Sequence, residues 1–387
     1  MEENLLIVHG GGPTAVLNAS LYGAVREAKK QEGICHIYAA RNGTGGLLKK
    51  DFIELENVPE EKLRLLLQTP GSAIGTSRDE LEQGEYERMA DILAEKSVRY
   101  VLFNGGNGTM DTCGKLYKTC QAKGLDVKVM GIPKTMDNDI AVTDHSPGFG
   151  SAARYIAQSV REVCADVKGL PIHVVVVEAS GRNAGWITAA SALAGDGDGL
   201  GPDLIYLPER PFDEDAFVED VRKLLEKKSG IVVVASEGLK DAAGEPVVEP
   251  IFKVGRSTYF GDVSSHLANV VIRRLGYKAR GEKPGLLGRA SIALQSPVDR
   301  DEAELAGRLA CKAAFDGESG KMVAFRRVSA EPYKAKPFLA DIDKVMLRER
   351  TMPDEYINAE GNGVTEEFKE WCRPLIGGEL PEMVSYN

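Results

Sequence analysis

Short apolar runs recur along the chain without the polar alternation of half-exposed strands. They are LLIV at 5–8, YVLF at 100–103, VKVMGI at 127–132, HVVVVEA at 173–179, DLIYL at 203–207 and GIVVVASE at 230–237. Such runs predict strands covered on both faces. Between them, apolar positions repeat at helical spacing: Leu21, Ala24, Val25 and Ala28; Tyr86, Met89, Ala90 and Leu93; Phe217, Val221, Leu224 and Leu225. Strand alternating with helix predicts an α/β fold of largely parallel sheets flanked by helices. Ligands of such sheets bind at the turns beyond the carboxyl ends of the strands. The polar stretch LKDAAGEPVVEP at 239–250 predicts a loop or hairpin, and residues 320–387 mix proline, glycine and charge with no clear periodicity.

Length and composition narrow the picture. The 387 residues suffice for two domains, and 43% hydrophobic with 27% charged content is that of a globular chain. A net charge of −10 argues against broad nucleic-acid binding. The six cysteines form no CxxC pair, which predicts reduced structural thiols in a cytoplasmic protein. The acidic start MEENLLIVHGGG runs into a strand rather than a signal peptide, and no apolar run has the length of a membrane span.

Three turns carry candidate chemistry. VHGGGPTAVLN follows the first strand, and FNGGNGTMD follows a later one. Glycines there let backbone N–H groups approach an anion, and the helix that follows adds partial positive charge. Both turns also read as plain strand-to-helix connections that need glycine for geometry. Neither matches GxxxxGK[ST] or fits GxGxxG well. The third turn, GIPKTMDNDI, sets Asp137 and Asp139 two apart with Lys134 just before them. A carboxylate there suits a base that takes a proton from an attacking hydroxyl, and the lysine suits charge on transferring phosphoryl oxygens. The other reading is an Asx-rich capping turn.

Taken together, GGGPTAVLNASLYG, PGSAIGTSR, NGGNGTMDT, GIPKTMDNDI, PGFGSAARYI, EASGRNAGW, ASEG and PGLLGRAS resemble the phosphofructokinase family, in that family's order. The tail TMPDEYINAEGNGVTEEFKEWCRPLIGGE resembles that of its bacterial pyrophosphate-using branch. The resemblance implies phosphoryl transfer from ATP or pyrophosphate to the 1-hydroxyl of fructose 6-phosphate, with Mg2+. It implies a donor-binding domain of 1–148 plus about 288–320 and a sugar-phosphate domain of 149–287 plus about 321–387. Asp137 matches the catalytic base, with Lys134 and Arg182 stabilising transferring charge. Gly12, Arg78 and the loop Gly106, Asn107, Gly108 and Thr109 match donor contacts, Asn107 being the metal candidate. Thr135, Asp139, His173, Ser180, Gly181, Glu237, Arg280 and Arg289 match the acceptor side, the two arginines holding the 6-phosphate. One such arginine often comes from a neighbouring subunit, which implies a homodimer or homotetramer with shared sites.

Four departures qualify the resemblance. Asn107 stands where aspartate is usual and contributes no charge to a metal. Gly108 stands where pyrophosphate enzymes usually carry an aspartate, which opens room for the α-phosphate of ATP. Lys134 is the residue type of pyrophosphate enzymes, although some ATP-using relatives pair it with glycine. His173, Leu286 and Ser180 replace the usual arginine, histidine or tyrosine, and methionine of the acceptor pocket. The expected activity is therefore ATP-dependent 6-phosphofructokinase. The alternatives are pyrophosphate as donor, another acceptor such as sedoheptulose 7-phosphate, or an inactive regulatory paralogue.

Overall fold

The structure, a computed structural model, describes residues 3–170, 172–195, 199–254 and 257–386. The chain divides into two compact units, 1–151 with 289–350 and 152–288 with 351–387.

The first unit is built on a seven-stranded sheet. Its strands are β1 (Glu3–Gly10), β2 (Ile34–Ala40), β3 (Phe52–Glu54), β4 (Val98–Gly105) and β5 (Lys128–Pro133), which the sequence leads through the second unit before returning to complete the sheet with a hairpin. The second unit contributes β6 (Val174–Ala179), β7 (Leu204–Tyr206), β8 (Ile231–Ser236), β9 (Pro250–Val254), β10 (Ser257–Phe260) and β11 (Ala279–Glu282). The returning hairpin is β12 (Lys321–Ser329) and β13 (Lys334–Asp341). The order across the first sheet is β13-β12-β5-β4-β1-β2-β3. The five strands from β12 to β2 run parallel, and the outer strands β13 and β3 are antiparallel.

Period-two alternation divides the central strands between two cores. Leu5, Ile7, Tyr100 and Leu102 face one, with Leu21, Val25 and Ala310 of the helices Leu17–Ala28 and Pro297–Phe315. Leu6, Val8, Val101 and Phe103 face the other, with Met89, Leu93, Cys113 and Leu116 of the helices Gln83–Glu95 and Asn107–Ala122. Burial on both faces is why these strands lack polar alternation.

The hairpin corrects one expected boundary. The expected sugar-phosphate domain takes in residues from about 321, but β12 pairs with β5 through Lys321↔Met130 and Met322↔Gly131, and Met322, Val323 and Phe325 are buried in the first unit. Only from Thr351 does the tail belong to the second unit.

The second unit holds an all-parallel sheet of order β11-β6-β8-β7 and the separate pair β9-β10. Val174, Val176, Val233 and Ala235 pack with Phe217 and Val221 of helix Glu214–Leu225 and with Leu267 and Val271 of helix Val263–Leu275. The tail is ordered by an aromatic cluster, in which Trp186 meets Trp371 at 4.9 Å and Tyr356 at 6.1 Å between ring centroids. In the stretch 239–250, the expected loop closes through a Lys240↔Pro246 bridge.

None of the six cysteines is in a disulfide; Cys35 on β2 is exposed and the other five are buried. Burial pushes the Cys120 thiol up to about 11 and raises Cys113 and Cys311 as well. Among the described residues, no helix is long and apolar enough to cross a membrane.

Candidate active site

The carboxyl ends of three neighbouring strands come level in the first unit, with Gly10 paired to Gly105 and Gly105 to Pro133. The three chemistry-bearing turns leave from these residues. The turn after β1 is fastened to the segment before Arg78: Gly11 N donates to Ser77 O at 2.8 Å, and Thr76 Oγ1 donates to Gly11 O at 2.8 Å. A Cβ built on Gly12 would lie 3.0 Å from Nη2 of Arg78 and 3.0 Å from Nη1 of Arg289. Two guanidinium groups therefore converge on the glycine turn.

Lys134 follows β5 and is buried, with its ammonium donating to Gly12 O. Burial is the main reason its pKa falls to about 8; Asp137 and Asp139 oppose the shift, while Arg78 and Arg289 reinforce it. Arg289 is itself lowered by burial and by Arg78, and raised by Asp137. Lys134, Arg78, Arg289 and Asp137 thus form one electrostatic group.

The acidic turn is internally braced. Thr135 Oγ1 donates to Asp139 Oδ1 at 3.0 Å and accepts from Asp137 N at 3.1 Å. Asn138, between the two aspartates, has φ 54°, and its Oδ1 accepts from Ser146 N at 3.0 Å. Burial raises the Asp139 pKa, against the hydrogen bonds from Thr135 and Asn107. Asn107 Nδ2 donates to Asp139 Oδ2 at 2.9 Å and to Asp139 O at 3.1 Å, which fixes the amide orientation. Its Oδ1 is left buried without a hydrogen-bond partner. An orphan oxygen beside a carboxylate suits a hard cation, so Asn107 and Asp139 fit Mg2+.

The donor loop opens the helix Asn107–Ala122, with Gly106 as its N-cap. Gly108 borders open space: a Cβ there meets no atom within 4 Å. Thr109 faces inward instead, since Cβ atoms on Gly10 and Gly105 would lie 2.3 and 2.2 Å from its Oγ1. Its side chain packs between the two turns rather than extending the phosphate loop as expected.

Two residues here escaped sequence reasoning. His9 is fully buried beneath the first turn, with Nδ1 2.8 Å from Ser72 Oγ and Nε2 3.3 Å from Asn104 Nδ2; burial and Lys134 lower its pKa to about 3. Asp299 accepts from Gly148 N at 2.8 Å and Ser151 N at 2.9 Å, anchoring the far end of the acidic turn. Neither has a local signature, because each is recruited from a strand interior or a distant helix.

The expected acceptor residues do not form one group. Arg289 stands in the first unit beside Arg78, whereas Arg280 belongs to the second. In the second unit, Ser180, Gly181 and Arg182 follow β6 and interlock with the turn after β8. Glu237 Oε1 accepts from Gly181 N at 3.1 Å, and Ser236 Oγ donates to Gly181 O at 2.8 Å. His173 precedes β6, and Arg280 pairs in register with Val175 near that same end. A six-residue strand is roughly 20 Å long, so His173 and Arg280 lie at the opposite end from Ser180, Arg182 and Glu237. The His173 ring packs 5.2 Å from Tyr277, and Arg280 Nη2 pairs with Glu282 Oε1 at 2.6 Å. Leu286 is 70% exposed.

The phosphofructokinase family model matches residues 4–314. This chain belongs to the phosphofructokinase family. Among family members, it is 40% identical to "Pyrophosphate--fructose 6-phosphate 1-phosphotransferase" of Xanthomonas campestris, over 98% of this chain and 92% of that protein. It is 33% identical to "Sulfofructose kinase" of Alkalicoccus urumqiensis, over 97% of this chain and 95% of that protein. The solved structure of a pyrophosphate-dependent phosphofructokinase from Nitrosospira multiformis superposes with a TM-score of 0.90 at 34% identity, covering 100% of this chain and 94% of the other. As a phosphofructokinase, the chain is a phosphotransferase of the 6-phosphofructokinase type with the family's α/β fold.

Proposed function

We propose that this phosphofructokinase transfers a phosphoryl group from pyrophosphate to the 1-hydroxyl of fructose 6-phosphate. The convergence of Lys134, Arg78 and Arg289 on the glycine turn at Gly12, with Lys134 and Arg289 within electrostatic reach of Asp137, supports this reading. Asp137 takes the proton of the sugar hydroxyl as its oxygen bonds to phosphorus, and the bond from phosphorus to the leaving phosphate breaks. The three cations neutralise charge on donor and transferring oxygens. Asn107 Oδ1 and Asp139 would hold Mg2+, which supplies further neutralisation of the donor phosphates. Glu237, the turn Ser180–Gly181 and Arg182 address the sugar, while His173 and Arg280 address its 6-phosphate. The separation of these two sets along β6 supports a homo-oligomer in which one set serves the neighbouring subunit's site.

Pyrophosphate replaces the ATP expected from Gly108 because the 40% identical relative and the solved structure both carry pyrophosphate in their names. ATP remains a second reading on one observation, the open space around Gly108. Initial rates with each donor against fructose 6-phosphate, sedoheptulose 7-phosphate and sulfofructose decide the matter. Turnover with pyrophosphate and fructose 6-phosphate supports the proposal; turnover with ATP alone overturns its donor, and turnover with another acceptor alone overturns its acceptor.

A further inference from the structure

The acidic turn closes on itself. Thr135 N donates to Pro147 O at 3.0 Å, and Thr135 bridges to Gly148. The segment between is a loop with Asp137 and Asp139 on one side and His145 on the other. His145 is only 3% exposed and stacks on Phe325 with ring centroids 5.5 Å apart. Both of its ring nitrogens face carboxylates: Nδ1 lies 2.8 Å from Asp144 Oδ2, and Nε2 lies 2.6 Å from Glu302 Oε2. Carboxylates only accept, so both nitrogens donate and the ring is an imidazolium. Arg327 reaches Asp144 Oδ2 at 3.3 Å, and Tyr333 Oη donates to Glu302 Oε1 at 2.7 Å. The buried charges are therefore matched and their acceptors are occupied, the condition under which such a cluster holds one arrangement.

This cluster connects directly to the reacting turn. Glu302 lies one turn beyond Asp299 on the helix Pro297–Phe315, and Asp299 holds Gly148 N and Ser151 N. The residue after His145, Ser146, donates its N–H to Asn138 Oδ1 at 3.0 Å. Asn138 sits between the two aspartates in the left-handed region at φ 54°, a conformation that its surroundings must hold. Arg350 closes the other side, its N–H donating to Asp139 O at 2.8 Å and its Nη1 to Thr143 O at 2.7 Å.

We infer that His145, clamped as a cation between Asp144 and Glu302, is a positioning residue that fixes Asp137 and Asp139 through Ser146 and Asn138. It touches no reacting atom. Its effect falls on the rate of transfer rather than on the binding of either substrate. The inference rests on the reading of Asp137 as the base.

The test measures kcat and both KM values at one pH near neutrality for His145→Gln, Glu302→Gln, the double variant and Asp137→Ala. A displacement of a reacting group by a fraction of an ångström to one ångström costs about tenfold to a hundredfold. Each single variant is expected to lose at least about tenfold in kcat, with both KM values within about twofold of the parent. The double variant removes the cation and its carboxylate partner together and recovers part of that loss relative to His145→Gln. Glu302→Gln keeps an acceptor for His145 and decides the question if His145→Gln does not fold. Lowered thermal stability with unchanged kcat in a folded variant overturns the inference, as does a loss carried entirely by KM. Undiminished turnover in Asp137→Ala overturns the base assignment itself, whatever the His145 variants do.

Discussion

The two units treat charge in opposite ways. In the first, Asp137, Arg78 and Arg289 all act on Lys134, a buried lysine held with its pKa at about 8. In the second, Arg182 is exposed, Arg280 is neutralised by Glu282, and Glu237 is occupied by a backbone N–H. On the proposed reading, the first arrangement is preorganised for charge that develops during reaction, and the second recognises the sugar phosphate. The proposed function thus assigns the chemistry to the first unit and sugar-phosphate recognition to the second.

The comparison is tested most severely at Asp137. Asp137→Ala should lower kcat by about a thousandfold or more with the fold intact, as judged by circular dichroism and the melting curve. If Arg182→Ala or Glu237→Ala instead proves the more damaging to kcat, the division of labour fails. A smaller effect is expected at Arg280. Removing one phosphate-binding guanidinium should raise the sugar-phosphate KM by about ten- to a hundredfold. At sugar-phosphate concentrations well below the raised KM, mixing Asp137→Ala with Arg280→Ala subunits, unfolded and refolded together, should give more activity than either variant shows alone. No recovery would place Arg280 outside a shared site.

The pH dependence sharpens the contrast further. Lys134 is charged below about pH 8 and loses its proton above it. For the free enzyme, kcat/KM for the donor should therefore fall about tenfold per pH unit on the alkaline side. Lys134→Arg, charged throughout, should lower the plateau and abolish that limb. A limb that persists in the variant assigns it to another group. The mildest change is Gly108→Asp, which should reduce any use of ATP several-fold through like-charge repulsion and leave pyrophosphate turnover nearly unchanged. An unaltered donor ratio would remove Gly108 from donor choice.

Much of the fold was legible because the central strands are buried on both faces, and each apolar run named from the sequence overlaps a strand. The edges were not. In β12, Arg326 and Val328 are exposed while Met322 through Phe325 are buried, so one strand changes character midway and its period blurs. The turns at 10–12, 105–109 and 134–139 were visible as motifs because backbone approach demands glycine and the chemistry demands carboxylates. The location of Arg289 was not, since only tertiary folding brings it to Gly12. His145 and Glu302 are 157 residues apart, and no local pattern announces an ion pair across that distance.

The cysteines described above have an experimental consequence. Cys35 is the exposed thiol, and Glu3 pairs with Ile34 beside it, so it stands at the amino-terminal edge of the first sheet, away from the strand ends that carry the turns. With the other five thiols buried, a maleimide fluorophore would attach at one address without disturbing the reacting groups. Energy transfer between such labels on mixed donor- and acceptor-tagged subunits would then read the spacing of chains in an assembly directly, in the same solution in which turnover is measured.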